Sequence, residues 1–122
     1  MATARQLLYG LLLILSVAGC GQDEAVSAAL GDAERGKEAV ARYGCIACHA
    51  IPGALNQGSN VGPPLHKIAQ RAYLGGVIPN TPEQMVRWLR NPAAIDPRSA
   101  MPNLGLSEAE AKDIAAYLYT LK

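Results

Sequence analysis

Along the chain, apolar positions recur at the spacing of a helix face and never alternate convincingly as they would on a half-buried strand. Gly36, Val40 and Tyr43 mark one narrow face of a first helix. Asp32 is its expected cap, Glu34 stands in its first turn and Gly44 lies just past its end. Pro64 is placed to open a short second helix running through Ile68 to about Tyr73. Thr81-Pro82-Glu83-Gln84 combines a cap, a proline at the first helical position and a capping-box glutamine. The helix it starts turns Met85, Trp88 and Leu89 inward and stops before Asn91-Pro92. Ser107-Glu108-Ala109-Glu110 is a further capping box, and the stripe Ala111, Ile114, Ala115, Leu118 and Leu121 follows it. Residues 51–63 and 91–105 between these elements are rich in proline and glycine and read as loops.

Composition narrows the class. With 122 residues the chain has room for one compact domain. Half of them are apolar, too many for a disordered chain, and the lack of Phe leaves an aliphatic, alanine-rich interior that suits packed helices. Eleven basic and ten acidic residues give a net charge of +1 with no Lys/Arg block, so no nucleic-acid partner is expected. Arg87, Arg90 and Arg98 are the one expected basic patch, near the loop that holds Met101. Three cysteines are an odd number, so a closed disulfide framework does not account for them all.

The start of the chain reads as an address. Residues 1–19 carry one positive charge, Arg5, then an apolar run over 7–15, then small residues, the pattern of a secretory signal. The run is shorter than the roughly 20 apolar residues that a span requires. Leu15-Ser16-Val17-Ala18-Gly19-Cys20 resembles a bacterial lipobox, so residues 1–19 are expected as a lipoprotein signal peptide with Cys20 as the lipidated terminus. Two or three acyl chains there would anchor stably, where one binds only marginally. Residues 20–31, small and polar, are expected as a flexible lipid-anchored tether, with the folded domain over 32–122. The expected location is the bacterial periplasm or the outer face of the cytoplasmic membrane.

The short helices and long loops leave the centre of the domain to be filled, and Cys45-Ile46-Ala47-Cys48-His49 supplies a candidate. C-x-x-C-H is the attachment signal for c-type haem: two cysteines on one turn form thioethers to one edge of the macrocycle and the next histidine faces the iron. A thioredoxin-like pair needs a preceding strand, and none is expected before Cys45. A zinc site needs four ligands, and only Cys20 and His66 remain to complete it. One haem c, covalent through Cys45 and Cys48, is therefore the expected cofactor.

From about residue 32 to 121 the chain resembles the class I c-type cytochromes. The resemblance runs in order through Gly36 and Tyr43, the C-x-x-C-H motif, Gly62-Pro63-Pro64-Leu65-His66 with Arg71, Trp88-Leu89-Arg90-Asn91-Pro92, Ala100-Met101-Pro102 and Ala116-Tyr117-Leu118. Residues 73–82, Tyr-Leu-Gly-Gly-Val-Ile-Pro-Asn-Thr-Pro, look especially like cytochrome domains associated with haem-copper oxidases. The implied fold is all-α and cytochrome c-like, with about four short helices and long loops wrapped around one haem. Two side chains are candidates for the second axial position opposite His49. Met101 lies in a loop followed by Pro102, whereas His66 matches a family position that is structural or exposed, which favours Met101. Met85, on a helix, is expected in the core.

The same resemblance implies supporting roles. Pro63 offers its carbonyl to the other ring nitrogen of His49. Arg71, Tyr73 and Asn80 hold haem propionates, and Trp88 packs beside the haem on the methionine side. Gly36 and Tyr117 form the crossing of the first and last helices, the glycine admitting an aromatic ring. The implied activity is one-electron transfer by a monomer, with no catalytic residues and no enzyme chemistry, from a quinol-oxidising complex to a terminal oxidase. A permanent electron-entry subunit of a larger oxidase or reductase is the alternative, or a peroxidase-like haem enzyme if Met101 is not a ligand.

Overall fold

The computed structural model of the chain describes residues 22–53, 59 and 61–122, with side chains from residue 25 onward. Cys20 and the expected signal segment over residues 1–19 lie outside the described residues. The α-helices are α1 (Gln22–Leu30), α2 (Ala33–Arg42), α3 (Pro82–Arg90) and α4 (Glu108–Leu118). Single 3-10 turns occur at Cys45–Ala47, Ile68–Gln70 and Pro92–Ala94. Among the described residues the fold is all-α apart from two antiparallel two-residue strands, β1 (Tyr73–Leu74) and β2 (Ile78–Pro79), with Leu74 opposite Ile78.

Helix ends form where side chains meet the otherwise unpaired backbone N–H groups. The Asp32 side chain accepts from Arg35 N, and Gly44, with φ of 71°, turns the chain away after α2. Thr81 caps α3 by accepting from Gln84 N, but the reciprocal half of the expected box is missing. The Gln84 side chain accepts instead from Arg87, one turn on, at 2.9 Å. Ser107 and Glu110 do form a complete capping box at α4.

Two expected elements differ. The helix expected from Pro64 to about Tyr73 is reduced to the turn Ile68–Gln70, and Tyr73 belongs to β1. The Arg71 backbone is extended and Gly75 and Gly76 adopt positive φ, so the chain reverses into β2 instead of continuing a helix. The stretch expected as a flexible tether is helical as α1 and packs on α4. Ser27, buried, donates its hydroxyl to the Ala116 carbonyl at 2.7 Å, and Val26 and Leu30 pack on the core. The four α-helices among the described residues therefore match the expected number but are not the same four.

The centre of the fold is the crossing of α2 and α4. Gly36, Ala39 and Val40 of α2 are buried, as are Ala111, Ile114, Ala115 and Leu118 of α4. A Cβ on Gly36 would stand 1.9 Å from the Asp113 carbonyl oxygen, so the two backbones touch there. This corrects the expected role of Gly36: it admits the backbone of α4, while the Tyr117 ring reaches elsewhere, its hydroxyl donating to the Pro52 carbonyl at 3.4 Å. Helix α3 lays Met85, Val86 and Leu89 against the same core.

Polar contacts fix the crossing at both ends. Asp113 accepts from Asp32 N at 2.7 Å and from the Arg35 guanidinium at 2.8 and 3.0 Å, and those bonds hold its carboxyl below the usual aspartate range. At the other end Glu110 accepts from the Tyr43 hydroxyl at 2.7 Å, from Ser107 and from Arg42 at 3.2 Å. The Tyr43 bond first, then those from Ser107, lower the Glu110 carboxyl from about 4.5 to about 2.

Two outcomes follow from this crossing. Gly36→Ala gains helix propensity but forces α2 and α4 apart, and is expected to lower stability by about 2 kcal/mol in urea denaturation. Glu110 is depressed in the folded state, so its contribution is present above the unfolded value near 4.5 and is lost as pH falls toward 2. Glu110→Gln should therefore be less stable than wild type at neutral pH, with the difference narrowing in urea titrations repeated down to about pH 3.

Candidate functional site

Between the α2–α4 crossing, α3 and the loops lies a cleft of about 380 Å³. Its apolar floor comes from Val40, Ile114 and Leu118 at the crossing, with Leu74, Met85 and Leu89 alongside. Cys45, Cys48 and His49 open onto it from one segment and Met101 from another, with Arg71, Tyr73 and Trp88 also in its wall.

The cysteine segment is shaped by the end of α2. After Gly44 the chain makes the turn Cys45–Ala47, where His49 N donates to the Cys45 carbonyl at 2.9 Å. That tight turn presents both cysteines and the histidine to one cleft. The thiols are free, and burial pushes the Cys45 thiol up. Among the described residues no three His, Cys, Asp or Glu side chains are grouped to hold a metal ion.

His49 is fixed by a segment that has few ways to move. Pro63 and Pro64 carry no N–H, so residues 62–65 are tied by Gly62 N to the Cys48 carbonyl and by Leu65 N to the Ala50 carbonyl, each at 2.8 Å. The Pro63 carbonyl oxygen lies 2.7 Å from His49 Nδ1. A carbonyl only accepts, so Nδ1 carries a proton in this contact, the tautomer that leaves Nε2 of a neutral ring free to bind iron. A Cβ on Gly62 would come within 2.5 Å of the imidazole. Only glycine leaves this ring its place, a role that spacing alone did not disclose.

Met101 is half-buried in the opposite part of the sequence, its backbone N–H donating to the Ser99 hydroxyl at 3.2 Å. His66 is exposed and is not in the cleft wall. Met85 is 2 % exposed and belongs to the core as well as to the wall. Trp88 is half-buried, and its ring would meet a Cβ on Gly75 at 2.5 Å, so β1–β2 closes directly on the indole.

The three expected propionate partners divide. Tyr73 is exposed at the cleft edge, and Arg71 lines the cleft while donating to the Pro64 carbonyl. Asn80 does not line the cleft. Both its amide hydrogens go to backbone carbonyls, of Ile68 and Arg71 at 2.9 Å each, and its oxygen accepts from Tyr119 at 2.8 Å. Asn80 is thus engaged within the scaffold, where the expectation was a propionate donor. The expected basic patch is largely neutralised, with Arg98 paired to Asp96 at 3.3 Å and Arg90 within 3.9 Å of Glu108.

These features fit haem c: an apolar cleft, two free thiols on one turn, an imidazole with its outer nitrogen tied down, and a thioether from a distant loop. Comparison with known proteins leads to the same group. The family model described as Cytochrome c matches residues 33–122. Cytochrome c-552 of Bradyrhizobium diazoefficiens is 30 % identical over 115 residues, covering 94 % of this chain and 95 % of that protein. Cytochrome c oxidase subunit 2 of Alkalihalophilus pseudofirmus is 30 % identical over 91 residues, or 74 % of this chain, and that of Bacillus sp. strain PS3 is 27 % identical over 89 residues, or 70 %. The chain spans only about a quarter of each oxidase subunit, 26 % and 25 %. On the match over residues 33–122, the chain belongs to the cytochrome c family of electron carriers, whose domain implies haem c.

Proposed function

We propose that the protein is a membrane-tethered carrier of one electron at a time, in which Cys45 and Cys48 would attach haem c, His49 and Met101 would supply nitrogen and sulfur to its iron, and a terminal oxidase is the acceptor. The observation that carries the reading is the meeting of these four side chains at one apolar cleft, with the Pro63 carbonyl 2.7 Å from His49 Nδ1. Haem c bound there supplies an iron that takes up and releases one electron. The chain's own residues do the rest. Cys45 and Cys48 would hold the group covalently, and His49 keeps its orientation because Pro63 holds Nδ1 and Gly62 leaves the ring room. On a bound haem, a Met101 thioether would favour the ferrous state more than a second imidazole does and so raise the potential. Val40, Ile114, Leu118 and Leu74 keep water from the inner face, so little need rearrange when the charge changes. Arg71 gives the cleft wall a cation to face acidic groups.

The remaining parts of the reading have their own support. Two relatives are named as oxidase subunits, which favours an oxidase as acceptor, and the family resemblance favours a quinol-oxidising complex as donor. The small residues leading to Cys20 support export and lipid anchoring outside the cytoplasm. Among the described residues no helix is long and apolar enough to cross a membrane.

Optical spectra test the ligand set. The oxidised wild-type protein should show the far-red charge-transfer band of a methionine thioether on ferric haem, and Met101→Ala should abolish it. His66→Ala should leave the band intact. A band that survives loss of Met101, or that disappears with His66, would overturn the assignment.

A further inference from the structure

The Asn80 side chain joins three parts of the fold that are distant in sequence. It donates to the Ile68 and Arg71 carbonyls and accepts from the Tyr119 hydroxyl just beyond α4, while its backbone N–H donates to the Ala72 carbonyl at 2.9 Å. Every hydrogen-bonding group of the amide is used, and Tyr119 is buried. The residue it grips most directly is Arg71. The Arg71 guanidinium in turn donates to the Pro64 carbonyl, and more weakly to that of His66 at 3.4 Å. Pro64 follows Pro63, the acceptor for His49. With no N–H on either proline, the carbonyls of 63 and 64 are the polar handles left to this segment between Gly62 and Leu65.

We propose that Asn80 is a positioning residue: with Tyr119 it fixes Arg71 against the Pro64 carbonyl and so sets the hydrogen bond between His49 and Pro63. The inference rests on His49 being the axial ligand. A firm Nδ1–H bond makes the imidazole more electron-rich and favours ferric iron; a loosened one weakens that push and raises the potential. Asn80 and Tyr119 are both uncharged, so removing either changes no formal charge near the cleft. A shift in potential would have to travel through geometry.

The test compares the full-length haem-loaded protein with Asn80→Leu, Tyr119→Phe, Arg71→Lys and the double variant Asn80→Leu/Arg71→Lys. Arg71→Lys keeps the charge and loses the guanidinium fork. Two quantities are read: the midpoint potential, and the solvent exchange of the His49 ring N–H in the reduced protein by NMR. Asn80→Leu should raise the potential and speed ring N–H exchange about five- to tenfold, the factor expected when one ordinary hydrogen bond is lost. Tyr119→Phe should move both in the same direction by less. The double variant should shift the potential no further than the larger single effect, because both residues act on one contact. Should Asn80→Leu fail to fold, Tyr119→Phe alone decides. Potential and exchange rate unchanged in a folded variant of lower stability would make Asn80 structural only, and additive shifts in the double variant would also overturn the proposal. An optical spectrum lacking His/Met features in wild type would mark failure of the ligand assignment instead.

Discussion

The contact on which the rest of this domain depends is the backbone-to-backbone crossing of α2 and α4 at Gly36 and Asp113. Side chains at an ordinary helix crossing hold the axes 8–10 Å apart. Here a glycine on one helix and alanines on both remove that spacer, so a chain with no Phe still closes a dry interior. Closeness has a second effect. The residues next along the two helices, Val40 on α2 with Ile114 and Leu118 on α4, become the floor of the cleft. The polar bonds of Asp113 and Glu110 at either end keep the helices from sliding.

From this floor the site is built by short segments with few free torsions. The Gly44 reversal and the turn at Cys45–Ala47 deliver two cysteines and a histidine together, and two consecutive prolines hold the carbonyl that orients the histidine. Glycines at 62 and 75 act through absence: one leaves space for the imidazole and the other for the indole of Trp88. An electron carrier needs a surrounding that does not rearrange as charge comes and goes. Rigid turns, prolines and side chains seated against glycines are a direct way to provide one.

Much of this was legible in the sequence because it is local. Asp32, Thr81 and Ser107 announce three helix starts by cap chemistry, and C-x-x-C-H with Pro63 and Met101 names residues that do meet at one cleft. What was not legible depends on distant partners. Residues 22–30 look like a linker by composition, and only the buried Ser27 bond to Ala116 and the packing of Val26 and Leu30 make them a docked helix. Pro64 signals a helix start, yet the glycines at 75 and 76 and the extended Arg71 draw that stretch into a hairpin. Asn80 resembles a propionate donor by position, but its amide is used by Ile68, Arg71 and Tyr119, a geometry that no spacing encodes.

The docking of α1 also bears on how the carrier would work. Val26 and Leu30 are seated on the core, so an anchor at Cys20, as proposed, would stand close in sequence to a docked helix instead of a free linker. The proposed carrier role rests on iron held between His49 and Met101. X-ray absorption at the iron edge of the purified reduced protein addresses that claim most directly. One sulfur with five nitrogens around iron is the result expected; a shell of nitrogen alone, or an open sixth position, would contradict it.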